Sequence, residues 1–178
     1  MWLRLLAPRY RVGAVYELSP SRLRAWGIQA LMLDLDNTLV LWRHATPPPE
    51  VHAWIRELHD ARIPVCVVTN RLSRRARAVA AALDLPMAEG VFKPSRAKLR
   101  RALALLGTRP EQTAMVGDQL FTDVLAGNRL GVPTILTSPL APHESLRTRA
   151  LRILERLVLA VLERRGLAPG LTPPSNGH

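Results

Sequence analysis

Leu31-Met32-Leu33-Asp34-Leu35-Asp36-Asn37-Thr38 decides how this chain is read, because an apolar run stops abruptly at two carboxylates one residue apart. The run reads as a strand buried on both faces, which puts the acids where strand gives way to loop. In an open parallel α/β sheet, ligands bind outside the carboxyl ends of the strands. Residues i and i+2 of a strand share a face, so Asp34 and Asp36 can converge on one point. Uncompensated, they repel each other and one takes up a proton. A divalent cation removes the conflict, and hard oxygen ligands with few protein donors suit Mg²⁺. Taken alone, the pair also admits a blander, less favoured reading as a helix cap and a solvated turn residue.

Outward from this stretch, strands and helices alternate. Toward the N-terminus, Ser19 or Ser21 caps a helical turn that runs to Trp26, and Gly27 closes it. Residues 1–27 as a whole read as an amphipathic N-terminal arm, with Trp2, Leu3, Leu5, Leu6 and Tyr10 among arginines. Toward the C-terminus, three prolines lead into a helix over 50–61, with Val51, Trp54, Ile55 and Leu58 at helical spacing. Strands follow at 64–68, 113–116 and 133–137, with a short extended segment at 85–92. Helices are expected over 71–83, over 95–106 capped by Ser95, and from about 121 to 130. The pattern predicts an α/β, Rossmann-like parallel sheet with helices on both faces.

Residues 28–166 form the expected domain, closed by an amphipathic helix over 144–166. Leu146, Ala150, Ile153, Leu157 and Val161 fall on one face of that helix, and Arg149, Arg152, Arg156 and Glu163 on the other. The apolar face is expected to pack on the sheet, or else to meet a membrane surface or a second copy. Residues 167–178, rich in Pro, Gly and Ser, are expected to be a disordered tail.

Composition narrows the function. The net charge is +11, and nearly all the cations are arginine, which favours polyanionic surroundings: an anionic membrane surface, nucleic acid or a phosphorylated substrate. Aromatic residues make up 4% of the chain, too few for a base-stacking platform, so nucleic acid is the weaker choice. The single cysteine, Cys66, excludes an internal disulfide and falls inside a buried strand, where it reads as core. Arginines and Pro8 interrupt any signal-peptide core near the N-terminus, so the protein is expected in the cytoplasm, with peripheral attachment to the inner face of the cell membrane as an extension of that reading.

Four polar signals sit at strand ends: Asp34-x-Asp36, Thr69-Asn70, Lys93, and Gly117-Asp118 followed by Asp123. Each alone is an ordinary turn, cap or surface residue. Together they are specific, because a parallel sheet delivers its strand ends to one edge. A phosphoryl-transfer site needs a nucleophile, a proton donor, a metal and donors for the phosphoryl oxygens. Asp34 and Asp36 can supply the first two, Asp118 can complete the metal shell, and Thr69 and Lys93 can bind phosphate.

The order Asp34-Leu35-Asp36-Asn37-Thr38, Thr69-Asn70, Lys93-Pro94 and Gly117-Asp118-Gln119-Leu120-Phe121-Thr122-Asp123 resembles the haloacid dehalogenase superfamily. The Asp-x-Asp-Asn-Thr form, the GDQLFTD block and Gly127-Asn128-Arg129 resemble its YqeG family of type IIIA phosphatases, which includes mitochondrial phosphatidylglycerophosphate phosphatase. Thr69 stands where Ser is usual and keeps the hydroxyl. The resemblance implies that Asp34 attacks phosphorus to form an aspartyl-phosphate and that Asp36 handles protons. It implies Mg²⁺ held by Asp34, the Asp36 main-chain carbonyl and Asp118, with Asp123 in support. It also places Asn37 and Thr38 in the supporting loop and gives Asn70 a backbone contact to phosphate. The short spans from Thr38 to Thr69 and from Asn70 to Lys93 leave no room for a cap domain, so the site is expected to be open and the phosphate to sit on something large, such as a lipid headgroup. Nucleotides, sugar phosphates and nucleic-acid ends are the rival substrates, and a non-catalytic phosphorylation-dependent or basic binding protein is the rival class.

Overall fold

The computed structural model describes residues 2–70, 73–88, 96–140 and 146–173, with side chains described for all of these except 146–150. Five parallel strands form one sheet: β1 (Tyr10–Val12), β2 (Ala30–Leu33), β3 (Val65–Val67), β4 (Thr113–Gly117) and β5 (Thr134–Thr137), in the order β1-β5-β4-β2-β3. The helices are α1 (Pro20–Ala25), α2 (Pro49–Asp60), α3 (Arg74–Ala82), α4 (Arg96–Leu106), α5 (Leu125–Leu130) and α6 (Leu146–Arg164). Every residue of β2, β3, β4 and β5 is buried, as strands covered on both faces require.

Two apolar layers flank the sheet. Leu31, Leu33, Val65, Val67, Ala114 and Val116 join Trp54, Ile55 and Val79 on one side, whereas Met32, Cys66 and Met115 meet Leu99, Ala102 and Ala126 on the other. This is the alternation that a pleated strand imposes. Trp54 is fully packed, and its indole N–H donates to the Leu18 carbonyl at 2.7 Å, so the ring carries no unsatisfied polar atom. Ser19 caps α1 by accepting from the Arg22 N–H at 3.3 Å, and Ser73 caps α3 through the Ala76 N–H at 3.1 Å.

Three segments differ from the expectations. The N-terminal arm contributes a strand: β1 pairs with β5, and Tyr10 stacks on Trp26 with ring centroids 3.8 Å apart. A three-residue strand is too short to show period-2 alternation, so its pairing could not be read in advance. The segment at 85–92 makes a single parallel bridge, Met87 with Val67, within its described part. Residues 167–173, expected as a tail, run back along β1: the Thr172 N–H donates to the Arg11 carbonyl at 2.8 Å, and Arg22 donates to the Pro173 carbonyl at 2.5 Å. Residues 174–178 lie outside the described residues.

The terminal helix α6 is turned around its axis relative to the expected packing. Ile153 and Leu157, assigned to the inner face, are 57% and 61% exposed, while Glu155 is only 5% exposed and Leu162 is fully buried. Val158 and Leu159 pack against Leu120, Val124 and Leu136. Hydrophobic periodicity alone fails here because the buried polar pair Arg152–Glu155 has partners on the sheet edge that only the fold supplies.

Candidate active site

β2 ends at Leu33, and the Asp34 N–H donates to the Val116 carbonyl of β4 at 2.9 Å, so Asp34 still belongs to the ladder when its side chain reaches the sheet edge. The chain then turns sharply. Asn37 adopts φ 62°, a left-handed conformation that Asn tolerates better than most residues. Its side-chain oxygen accepts from the Trp42 N–H at 3.1 Å, and Asp36 bridges to Val40. Thr38 is buried beneath the turn.

The carboxylates of Asp34, Asp118 and Asp123, all buried, offer oxygens within 4.8 Å of one another. Asp118 follows β4 directly. Asp123 comes from a π-helical turn, Leu120–Val124, that swings it back toward the strand end, where it accepts from the Gln119 N–H at 3.2 Å. Gly117 makes this approach possible: a Cβ there would lie 2.2 Å from Asp123 Oδ2.

Burial raises the Asp118 carboxyl well above the usual carboxylate range; the Arg152 guanidinium opposes that shift, and the neighbouring Asp34 and Asp123 add to it. One Asp118 oxygen, Oδ1, is buried without a hydrogen-bond partner among the described residues. Three convergent carboxylates, one of them with an orphaned oxygen, fit a hard divalent cation.

Asp36 does not join this cluster; its carboxylate pairs with Arg75 of α3, whose other terminal nitrogen donates to the His44 carbonyl at 2.7 Å. The two acids of the opening stretch therefore occupy different surroundings. Thr69 is buried at the end of β3, with Asn70 half-buried beside it. Lys93 lies outside the described residues.

Three residues escaped the sequence reading. Lys98 of α4 is 1% exposed, and its ammonium donates to the Thr69 carbonyl at 2.5 Å. Its position four residues before Ala102 and next to Leu99, on the buried stripe of α4, was the available signal. Arg75 stands among the arginines near the start of α3, and nothing in their spacing marks it out from the others. Arg152 reaches from α6 to both the carboxylate and the carbonyl of Asp118, and is braced by Glu155 at 3.2 Å. Glu155 also accepts from the Phe121 N–H at 3.3 Å, and burial raises its carboxyl.

Residues 21–131 match the family model of haloacid dehalogenase-like hydrolases. The chain is 33% identical to the probable phosphatase YqeG of Bacillus subtilis over 93% of its own length and 96% of that protein. It is 32% identical to phosphatidylglycerophosphate phosphatase 1 of Arabidopsis thaliana, over 83% of the chain and 45% of that longer protein. Among solved structures, the cobalt-bound deoxy-D-mannose-octulosonate 8-phosphate phosphatase of Haemophilus influenzae shares the fold, with TM-score 0.52 and 19% identity over 79% of this chain and 91% of that one. A parallel sheet that gathers acids at its carboxyl edge, and a match running through those strands, lead to one conclusion: the chain belongs to the haloacid dehalogenase-like hydrolase family, as a phosphatase similar to YqeG.

Proposed function

We propose that this phosphatase is a Mg²⁺-dependent phosphomonoesterase that works through an aspartyl-phosphate on Asp34 and acts on phosphatidylglycerophosphate at a membrane surface. The observation that carries the chemistry is the buried triad of Asp34, Asp118 and Asp123, with an unsatisfied oxygen on Asp118. Asp34, Asp118 and the Asp36 carbonyl would hold the metal, with Asp123 supporting. A bound divalent ion offsets the charge between an anionic nucleophile and an anionic phosphate.

The side chains divide the remaining work. Asp34 attacks phosphorus. Asp36, held away from the triad by Arg75, protonates the leaving oxygen and then takes a proton from the water that hydrolyses the acyl-phosphate. Thr69 and Asn70 bind the phosphoryl oxygens together with Lys93. Lys98 clamps the Thr69 carbonyl and so fixes the turn that presents them.

Two features support a lipid substrate. Only α2 and β3 lie between Thr38 and Thr69, so no cap domain is inserted there, and the mouth of the site suits a phosphate displayed on a large body. The likeness to the Arabidopsis phosphatidylglycerophosphate phosphatase supports the headgroup. No helix among the described residues is long and apolar enough to cross a membrane. Attachment would instead be peripheral, through the outward apolar stripe of α6 and arginines that each contribute about 1 kcal/mol near an anionic bilayer.

The test is phosphate release with Mg²⁺ from phosphatidylglycerophosphate in anionic vesicles, compared with a nucleotide monophosphate and a sugar phosphate. Preference for the lipid by about tenfold or more in kcat/KM is expected, which corresponds to about 1.4 kcal/mol. Equal rates on all three would remove the lipid assignment and leave the phosphatase.

A further inference from the structure

A cavity of about 570 Å³ opens between α6 and the carboxyl ends of β1 and β5, and Asp118 and Arg152 form part of its wall. It therefore adjoins the triad on the side away from Thr69, because β4 separates β5 from β2 in the sheet. Its lining is divided by chemistry. Arg11, Arg152 and Arg156 supply cations, Asp118 and Glu155 supply carboxylates, and Leu120, Leu159 and Leu171 supply apolar surface.

The cations are not equivalent. Arg152 is committed to Asp118 and Glu155, and Arg11 pairs with Glu163. Arg156 makes no ion pair among the described residues, so an anion entering the cavity finds a guanidinium that none of their carboxylates neutralises. The apolar wall does not stop at the rim: Ile153, 57% exposed, lines the cavity and continues into the outward stripe of Leu154, Leu157 and Val161 on α6. Leu171 is likewise 57% exposed. A pocket with one uncompensated guanidinium that runs into an exposed apolar stripe matches a molecule with an anionic head and an apolar tail. A small soluble phosphomonoester uses none of the apolar wall.

We propose that this cavity is the subsite for the non-reacting part of the substrate, taking the phosphodiester of an anionic phospholipid on Arg156 and the first methylenes of its chains on Leu120, Leu159 and Leu171. The assignment rests on the lipid reading of the active site, and it makes α6 the element that selects substrate where no cap is inserted. The buried Arg152–Glu155 pair acts by positioning: it ties α6 to Asp118 and to the Phe121 N–H, and so holds the cavity next to the triad.

A phosphodiester also occurs in nucleic acid, and the test separates the two sources. Hydrolysis of p-nitrophenyl phosphate by the full chain with Mg²⁺ is to be followed in the presence of monomeric dihexanoyl-phosphatidylglycerol, glycerophosphoglycerol or a dinucleotide. The short-chain lipid is expected to inhibit competitively, at least about tenfold more strongly than the other two. Arg156→Ala and Leu171→Ser, both on exposed residues outside the triad, should each weaken that inhibition by about fivefold or more while turnover of p-nitrophenyl phosphate stays unchanged. Calorimetric titration of the same lipid into the protein without substrate reads the subsite even if no phosphatase activity is found, so failure of the reaction and failure of the subsite are distinguishable. Binding that is unchanged in both variants, equal binding of glycerophosphoglycerol, or stronger binding of the dinucleotide would each overturn the proposal.

Discussion

Replacing Arg152 with Met keeps most of the apolar stem and removes the guanidinium that faces Asp118 and Glu155. Both carboxylates are buried, and the Arg152 side chain itself is only 13% exposed, so solvent screens the pairs little. Removing one partner of a buried pair costs about 3–5 kcal/mol, because the remaining charge is stranded. A chain of 178 residues unfolds with an entropy of roughly 0.4 kcal/mol per kelvin, so in EDTA the Tm should fall by about 7–13 °C. The deficit should depend on pH. Burial raises both carboxyls and Arg152 opposes that rise, so without it their folded-state titrations move further up. A raised carboxyl makes the folded state bind protons that the unfolded chain has released, and stability then falls as pH rises. The deficit is therefore smaller near about pH 5 and larger near about pH 8. Millimolar Mg²⁺ should recover part of it, since a cation on the triad replaces charge lost beside Asp118. Scanning calorimetry of both proteins across this range, with EDTA and with Mg²⁺, is the assay. A Tm loss under about 3 °C that ignores both pH and Mg²⁺ would refute the view that Arg152 compensates the acidic centre.

Other outcomes follow from the same geometry. Asp34→Asn should abolish phosphate release while the circular dichroism spectrum is retained; full turnover in that variant would exclude Asp34 as nucleophile. Gly117→Ala would place a methyl 2.2 Å from Asp123 Oδ2, so the carboxylate must move, and Mn²⁺ affinity measured by electron paramagnetic resonance should drop by about tenfold or more. Lys98→Met removes the buried ammonium that donates to the Thr69 carbonyl and should cost about 1–3 kcal/mol in urea unfolding, with kcat reduced more than KM is raised. Burial pushes the Cys66 thiol up to about 11, so its proton is retained, and its contribution to stability kept, until pH climbs beyond the ordinary 9.0 toward that value. Its reaction with a disulfide reagent near neutral pH should be negligible in the native protein and rapid in guanidinium chloride.

Local pattern was enough to locate the chemistry. The apolar run before Asp34, the buried strands ahead of Thr69 and Asp118, and the helices between them are set by short-range composition and period. A parallel sheet then obliges their ends to meet at one edge. What local pattern does not carry is the choice of partner among similar polar side chains. Asp34 and Asp36 sit two residues apart and look equivalent. Only the packing of α3 against the loop gives Asp36 to Arg75, and only the π-helical turn after Gly117 brings Asp123 into the triad in its place. Lys98 reads as one more surface cation until the turn at Thr69 presents a carbonyl to it.

The terminal helix marks the limit most clearly. Its heptad-like stripe of Ile153, Leu157 and Val161 predicts the buried face when burial of apolar area is the dominant gain, yet that stripe faces outward. The deciding energy lies in long-range contacts that no window of sequence contains: a guanidinium reaching Asp118, 34 residues earlier, and a carboxylate accepting from Phe121 at the same separation. Local pattern set the four strands β2 to β5, the order of their polar endings and the class of chemistry, because those follow from periodicity and sheet geometry. The tertiary structure alone decided which acids share the cation site, which arginine faces them and which side of α6 is left for a partner, because each depends on where charges separated along the chain come to rest.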